Sequence, residues 1–538
     1  MLLSNGRIYT LDADDRVVDT LVIRAGRVAF AGRRQEVNAP AGEPEIDLGG
    51  RAVLPGLVDA HGHLMHLARL RLTLDVAGLP SEAACAERVA RRAAGAPTGE
   101  WIAGRGWDQN RWPGAQFPTR ASLDRAAPRH PVALVRIDGH AIWANSAALR
   151  AAGIDRHTSD PPGGRVERDA TGEPIGILVD TAQELVRRVE PRPGAVQMEE
   201  AVRKAIADCL DVGLTGVHEM GADLEALAAY RQLVAAGAFP FRNDVALKGA
   251  DAAAWQRALE EGPAVFGDGR LAVGAVKLMA DGALGSRGAA MHAPYCDDPA
   301  NRGLLLLPPE ELEGRARAAA ARGFQVCVHA IGDRANTLVL DALEAVLRGR
   351  PSGAGGRLAA VPGTDPRHRV EHAQILAEAD IPRFQALGVL PSMQPTHCTS
   401  DMPWADARLG ADRLPGAYAW RSLLRTGTVI AGGSDFPVEL PNPFHGIHAA
   451  VTRRPLEGSD PGWQPEQRMT RAEAVRAFTA WNAVAAHHEP ELGTLERGKW
   501  ADLVVCSADA FTCPEMDIAK IAPVLTMIAG EIVLDRRL

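Results

Sequence analysis

From about residue 196 onward, short apolar runs alternate with longer stretches whose apolar positions recur every three or four residues. EEAVRKAIADCLDVG and PEELEGRARAAAARG have the helical period. Between such stretches lie strand-length runs: GLTGVHEM, RNDVALKG, LAVGAVKLMADG, FQVCVHAIGD, RHRVEHAQI, GVLPSMQ and TVIAGGSDFP. With VLPGLVDAHGHLMHL at residues 53–67 as the opening strand, the runs number eight. Alternation of this kind favours a parallel sheet, and eight units favour closure. The expected class is α/β, a TIM-like (β/α)8 barrel spanning residues 51–489.

The two ends of the chain show a different pattern. Residues 2–50 alternate short strand-like runs with turns, and Asn5-Gly6 and Ala25-Gly26 sit where hairpin turns would fall. These strands are too few for a stable sheet alone. GTLERGKWADLVVCSAD and VLTMIAGEIVLD near the other end supply partners, so residues 1–50 plus 490–538 are expected to form one small composite β-sandwich. A third pattern follows the first barrel strand. Residues 81–95 read as a helix, and the Gly- and Pro-punctuated stretch around them holds Trp101, Trp107, Trp112 and Trp143. We read 75–195 as an inserted subdomain. An insertion after a barrel strand belongs over the active face, so this one is expected to cap the pocket. The bland alternative is that its tryptophans form a small core of their own.

Composition narrows the class. A formal net charge of −8 offers no basic footprint, so no nucleic-acid partner is expected. No run reaches the roughly 18 apolar residues of a membrane span, so no membrane partner is expected either. The opening MLLSNGRIYTLDADD lacks the basic and apolar regions of a signal peptide. Seven cysteines are scattered without a C-x-x-C pair, which fits a reducing compartment. A cytoplasmic enzyme with a small-molecule substrate is the expectation, and a homodimer is left open.

The strand ends carry the chemistry. Strand one ends at His61 and His63, strand two at His218 and Glu219, and strand four carries Lys277 and reaches Asp281. Strand five ends at His329, strand six at His372 and strand eight at Asp435. Alternate residues of a strand share a face, so His61 and His63 can aim at one point. A lone strand-end histidine is more often structural. Four histidines and an aspartate at barrel strand ends converge on one pocket and read jointly as a metal shell.

These motifs resemble the metal-dependent amidohydrolase superfamily, and in detail its N-substituted formamide deformylase-like branch. PGLVDAHGHL, VKLMADGALGSR, HAIGDRAN, RVEHAQ, GSDFPVE and LGTLERGKWADLVV carry the likeness, with DGHAIWANSAAL and DQNRW in the insertion. The resemblance implies that His61, His63, His329, His372 and Asp435 ligate one or two divalent ions, zinc foremost. It matches Lys277 to a lysine that is N6-carboxylated (carbamylated) in binuclear members. A free ammonium would repel two cations. Carbamate, Asp435 and hydroxide would set three negative charges against four positive, whereas without the carbamate a single ion is better matched.

The expected reaction is hydrolysis of a non-peptide C–N bond, in an N-substituted amide or formamide. Metal-activated hydroxide attacks, because a bound divalent ion lowers water's pKa from 15.7 to about 7. Asp435 serves as general base, and His218 is a candidate second stabiliser or substrate contact. Trp107, His140, Trp143 and Arg287 are candidate substrate residues, although anchoring of its loop is the stronger reading for Arg287 with Ser286. Trp112, Met291, Met393 and Trp404 would add room for a hydrophobic substituent. His66 reads as structural, and His292 and His397 are left open. A lactone, ester or carbamate hydrolase is the near alternative. A deaminase is further off: in those enzymes a glutamate follows the fifth-strand histidine by three residues, and here that position is Gly332, with Asp333 next. A non-catalytic scaffold would require missing ligands, and none is missing.

Overall fold

A computed structural model describes residues 1–37, 42–137, 139–191, 193–348, 366–457 and 461–537. Its central sheet runs Leu57–Gly62, Leu214–Ala222, Arg242–Lys248, Leu271–Met279, Gln325–Ala330, Arg369–His372, Leu390–Met393 and Ala431–Gly432. Each strand pairs in parallel with the next in chain order. The circuit meets at a parallel bridge between Gly62 and Phe436. Beside it, Asp435 N–H donates to His61 O at 2.6 Å and His63 N–H donates to Phe436 O at 2.8 Å. This is a TIM-like barrel, and parallel strands bring all eight carboxyl ends to one face.

The strands read as near-continuous apolar runs because both of their faces are covered. In LAVGAVKLM every residue but Met279 is buried. The helices between them bury one stripe: Asp333–Arg348 turns Ala335, Val339, Leu343 and Val346 inward. Pro309–Ala321 begins with proline at its first position and Glu310 and Glu311 in its first turn, which suits the positive helix end.

The terminal segments form two further sheets. Four strands order as Arg27–Gly32, Thr20–Arg24, Leu2–Ser4 and Glu45–Asp47. Six order as Glu531–Asp535, Pro523–Ile528, Leu503–Cys506, Ala52–Pro55, Arg7–Tyr9 and Val17–Val18. The strand Leu503–Cys506 pairs antiparallel with Ala52–Pro55, Val505 opposite Val53. Leu3, Leu21 and Val28 share one apolar cluster with Leu503, Val505 and Leu525. Ala25 and Gly26, both at positive φ, close a two-residue hairpin. Asn5-Gly6 does not, because the strands on either side of it enter different sheets.

Residues His66–Lys204 make a second compact unit, and Met1–Met65 with Ala205–Leu538 make the first. The second unit begins and ends about nine residues outside the expected 75–195. It is built on a six-stranded sheet ordered Gly164–Arg168, Pro174–Asp180, Ala141–Ala144, Val132–Arg136, Ile102–Trp107 and Leu74–Asp75. Its tryptophans correct the expectation of substrate contacts. Trp107 and Trp143 are both 0% exposed, pack edge to face at 6.2 Å, and belong to this unit's own core. Their indole N–H groups are spent on Leu134 O at 2.7 Å and Thr119 O at 2.9 Å. Fully enclosed rings with satisfied N–H groups are core residues.

Candidate functional site

Three side chains from three strand ends converge. One donor atom from each of His61, His372 and Asp435 lies within 4.8 Å of the others, and all three residues are buried. Backbone geometry permits this in two ways. His372 ends the sixth strand at φ +73° and Asp435 lies three residues past the eighth at φ +61°, so both sit in the left-handed region, where the two-residue alternation no longer holds. Next to Asp435, Gly433 presses the eighth strand against the first: a Cβ on it would lie 2.6 Å from His61 N and 2.7 Å from Asp59 Oδ1. Asp59 holds that junction, accepting from Ser434 Oγ at 2.6 Å and from His61 N–H at 3.0 Å.

The other expected ligands stand around this trio. His63 Nε2 is 2.9 Å from Asp435 Oδ1, against 3.6 Å for His61 Nε2. Lys277 Nζ is 3.4 Å from His61 Nε2. His329 stacks edgewise on His372 at 4.5 Å, but its Nε2 turns toward Gly282 O and Asp281 Oδ1, each at 3.4 Å. His397, which the sequence left open, lies parallel to His372 at 5.9 Å with its Nε2 3.8 Å from Asp435 Oδ2. That nitrogen is buried without a hydrogen-bond partner.

The protonation states suit a divalent cation. Burial, and then the neighbouring Lys277 charge, push His61 down to about 4 and His329 down to about 3. Burial and the adjoining imidazoles push His372 down as well. Burial works the other way on Asp435, yet His61, His63 and His397 hold its carboxyl well below the usual range. Imidazoles and a carboxylate together form a donor set that zinc, manganese, iron or cobalt accepts. Burial also pushes the Lys277 ammonium down, against the pull of Glu371 and Asp435.

The sequence model of the Amidohydrolase family matches residues 44–534. The chain belongs to this family. YtcJ of Bacillus subtilis (strain 168) is 35% identical over 99% of this chain and 98% of its own length. The N-substituted formamide deformylase of Arthrobacter pascens is 28% identical over 100% of this chain and 98% of its own. A metal-dependent hydrolase of Pyrococcus horikoshii OT3 superposes with a TM-score of 0.78 at 27% identity, covering 96% of this chain and 98% of that one. This amidohydrolase is thus similar end to end both to an enzyme named for formamide deformylation and to a solved metal-dependent hydrolase.

The remaining candidates of the amidohydrolase fall outside the trio. His218 is buried with its Nδ1 taken by Arg369 Nη1 at 2.9 Å, so that nitrogen is committed within the barrel and not offered to a substrate. Arg287 forms a two-point pair with Asp297, at 3.1 and 2.8 Å, which anchors its loop. Met291 and Met393 are fully buried, and Arg408 covers the Trp404 ring. In the insertion, His140 is exposed and pairs with Asp180 at 2.9 Å; Asp138, which opens the DGHAIWANSAAL motif, lies outside the described residues. His292 bonds Thr337 at 3.0 Å on an exposed surface. The reading missed Gln394, whose Oε1 accepts from His372 Nδ1 at 2.8 Å and so turns Nε2 toward the trio. It also missed Arg369 and Glu371. The signal for them was present in RVEH, a barrel strand in which Val370 alone is apolar. No helix among the described residues is long and apolar enough to cross a membrane.

Proposed function

We propose that this amidohydrolase cleaves an N-substituted amide or formamide, with Asp435 as the proton-transferring base. The observation that carries the reading is the convergence of His61, His372 and Asp435 at the carboxyl ends of strands one, six and eight. His63 and His329 would complete the ligand set for zinc. When bound, such an ion polarises a carbonyl oxygen and lowers the pKa of water from 15.7 to about 7.

The chain's own residues then have separable tasks. Asp435, held ionised and next to His63, takes a proton from the attacking water and returns it to the departing nitrogen. A nitrogen leaving as an amine needs that proton, whereas a lactone or ester does not need it to the same degree. Lys277 is the residue to be carboxylated. Its burial favours the neutral amine, which adds to carbon dioxide and releases a proton, giving an anion where a cation would oppose the metal. The end-to-end likeness to an N-substituted formamide deformylase supports the substrate class. Position 332 argues against a deaminase, since a Cβ on Gly332 would lie 2.0 Å from Ala290 O and no glutamate fits.

The test is metal content of protein purified without chelator, alongside turnover of a panel of N-substituted formamides and anilides. Turnover with about two ions per chain supports the carboxylated Lys277. Turnover with about one ion retains the hydrolase reading and removes the carboxylation. Absence of metal, and of any activity restored by zinc or manganese, defeats the reading.

A further inference from the structure

Beneath the donor trio the barrel holds buried charges that the proposed chemistry does not use. Glu371 precedes His372 on the sixth strand and is 0% exposed. Its Oε2 accepts from His61 Nδ1 at 2.6 Å. Arg369, two residues earlier and 1% exposed, holds Nε 2.8 Å from Glu371 Oε1 and donates from Nη2 to Oε2 at 3.1 Å. The same guanidinium donates to Ala60 O at 2.7 Å, Ser392 Oγ at 2.8 Å and His218 Nδ1 at 2.9 Å. One side chain thus ties strands one, two, six and seven just below the site.

Filling the barrel does not require this arrangement. Apolar side chains of similar volume fill a core without the desolvation that a carboxylate and a guanidinium suffer there. What the pair supplies is a fixed acceptor on the far nitrogen of one imidazole. Accepting at Nδ1 decides which ring nitrogen carries the proton. It leaves the Nε2 lone pair facing Asp435 and Lys277.

We propose that Glu371, itself held by Arg369, is the positioning residue for His61: it fixes the tautomer and ring orientation that make Nε2 the metal-binding atom. The inference rests on the reading of His61 as a metal ligand. Carboxylate partners of this kind raise ligand basicity, and their loss lowers metal affinity about 10–100-fold.

The experiment compares the parent protein, Glu371→Gln, and the double variant Arg369→Met with Glu371→Gln. Three quantities are read: zinc affinity by competition with a chromogenic chelator, the visible spectrum of the cobalt-substituted protein, and thermal unfolding of the metal-free protein. The single variant leaves Arg369 a buried charge without a counter-ion, and the double variant does not. We expect the barrel's own unfolding transition to move back up in the double variant relative to Glu371→Gln. We expect zinc affinity to stay about 10–100-fold below the parent in both, with shifted cobalt bands. Zinc affinity that recovers together with stability in the double variant would make Glu371 a packing residue and overturn the inference. So would a zinc-binding parent whose variants bind as tightly with the same cobalt spectrum. A parent that binds no zinc overturns the metal reading itself, which separates the two failures.

Discussion

Replacing Trp107 with alanine is expected to destabilise the insertion and leave the chemistry unaltered. The indole is fully enclosed, lies 6.2 Å from the rings of both Trp112 and Trp143, and donates to Leu134 O. Removing it deletes about 150–250 Å² of buried ring. At about 25 cal/mol per Å² that is about 4–6 kcal/mol, and large-to-small core changes at tryptophan cost about 3–5 kcal/mol. We take about 4 kcal/mol, roughly a thousandfold in the folded-to-unfolded ratio of that unit. The chain has two compact units, so one melting midpoint does not describe it. Proteolysis in native buffer, with cleavage within 66–204 followed by mass spectrometry, reads local opening directly. The cleavage rate should rise by about three orders of magnitude when opening precedes cutting. Over the same preparation, kcat/KM per folded molecule on small and bulky amides should hold within about twofold. Unchanged proteolysis with altered selectivity between the two substrates would refute the placement of Trp107 in the core.

Two further substitutions probe the barrel. Asp435→Asn removes the proposed base while keeping its shape, and kcat should fall about 10²–10⁴-fold with a much smaller change in KM; an unaltered kcat would assign the proton transfer elsewhere. Gly332→Ala forces a Cβ to within 2.0 Å of Ala290 O. Overpacking of that kind costs about 1–3 kcal/mol, so native-state proteolysis within the barrel at the parent's rate would contradict the packing around the fifth strand.

The barrel is legible in the sequence because its strands are apolar runs buried on both faces, and because six of them end in groups that charge or bind metal. His61, His372 and Asp435 are found by that rule. Their aim is not, since it depends on the positive φ at His372 and Asp435, where strand alternation no longer predicts direction. Glu371 and Arg369 escape for a related reason. Alternation places them together on the interior face of a short strand, but nothing local says that the partner of Glu371 is His61, 310 residues away in the chain. The tryptophans show the converse. In sequence Trp107 and Trp143 suit a pocket as well as a core, and their edge-on packing and spent N–H groups decide for the core. Asn5-Gly6 has hairpin composition, yet its flanking strands find better partners in separate sheets.

The pairing of Val53 with Val505 sets a schedule for synthesis. The two residues are about 450 positions apart, and ribosomes add about 5–20 residues per second, so the strand Ala52–Pro55 waits roughly 20–90 s for its neighbour to be made. All eight barrel strands have left the ribosome by then, because the last of them ends at Gly432. A nascent chain halted before Leu503 would carry a full set of barrel strands beside an open, apolar edge at Ala52–Pro55. An edge of that kind recruits other strands, so chaperone capture and aggregation during translation should concentrate in that interval.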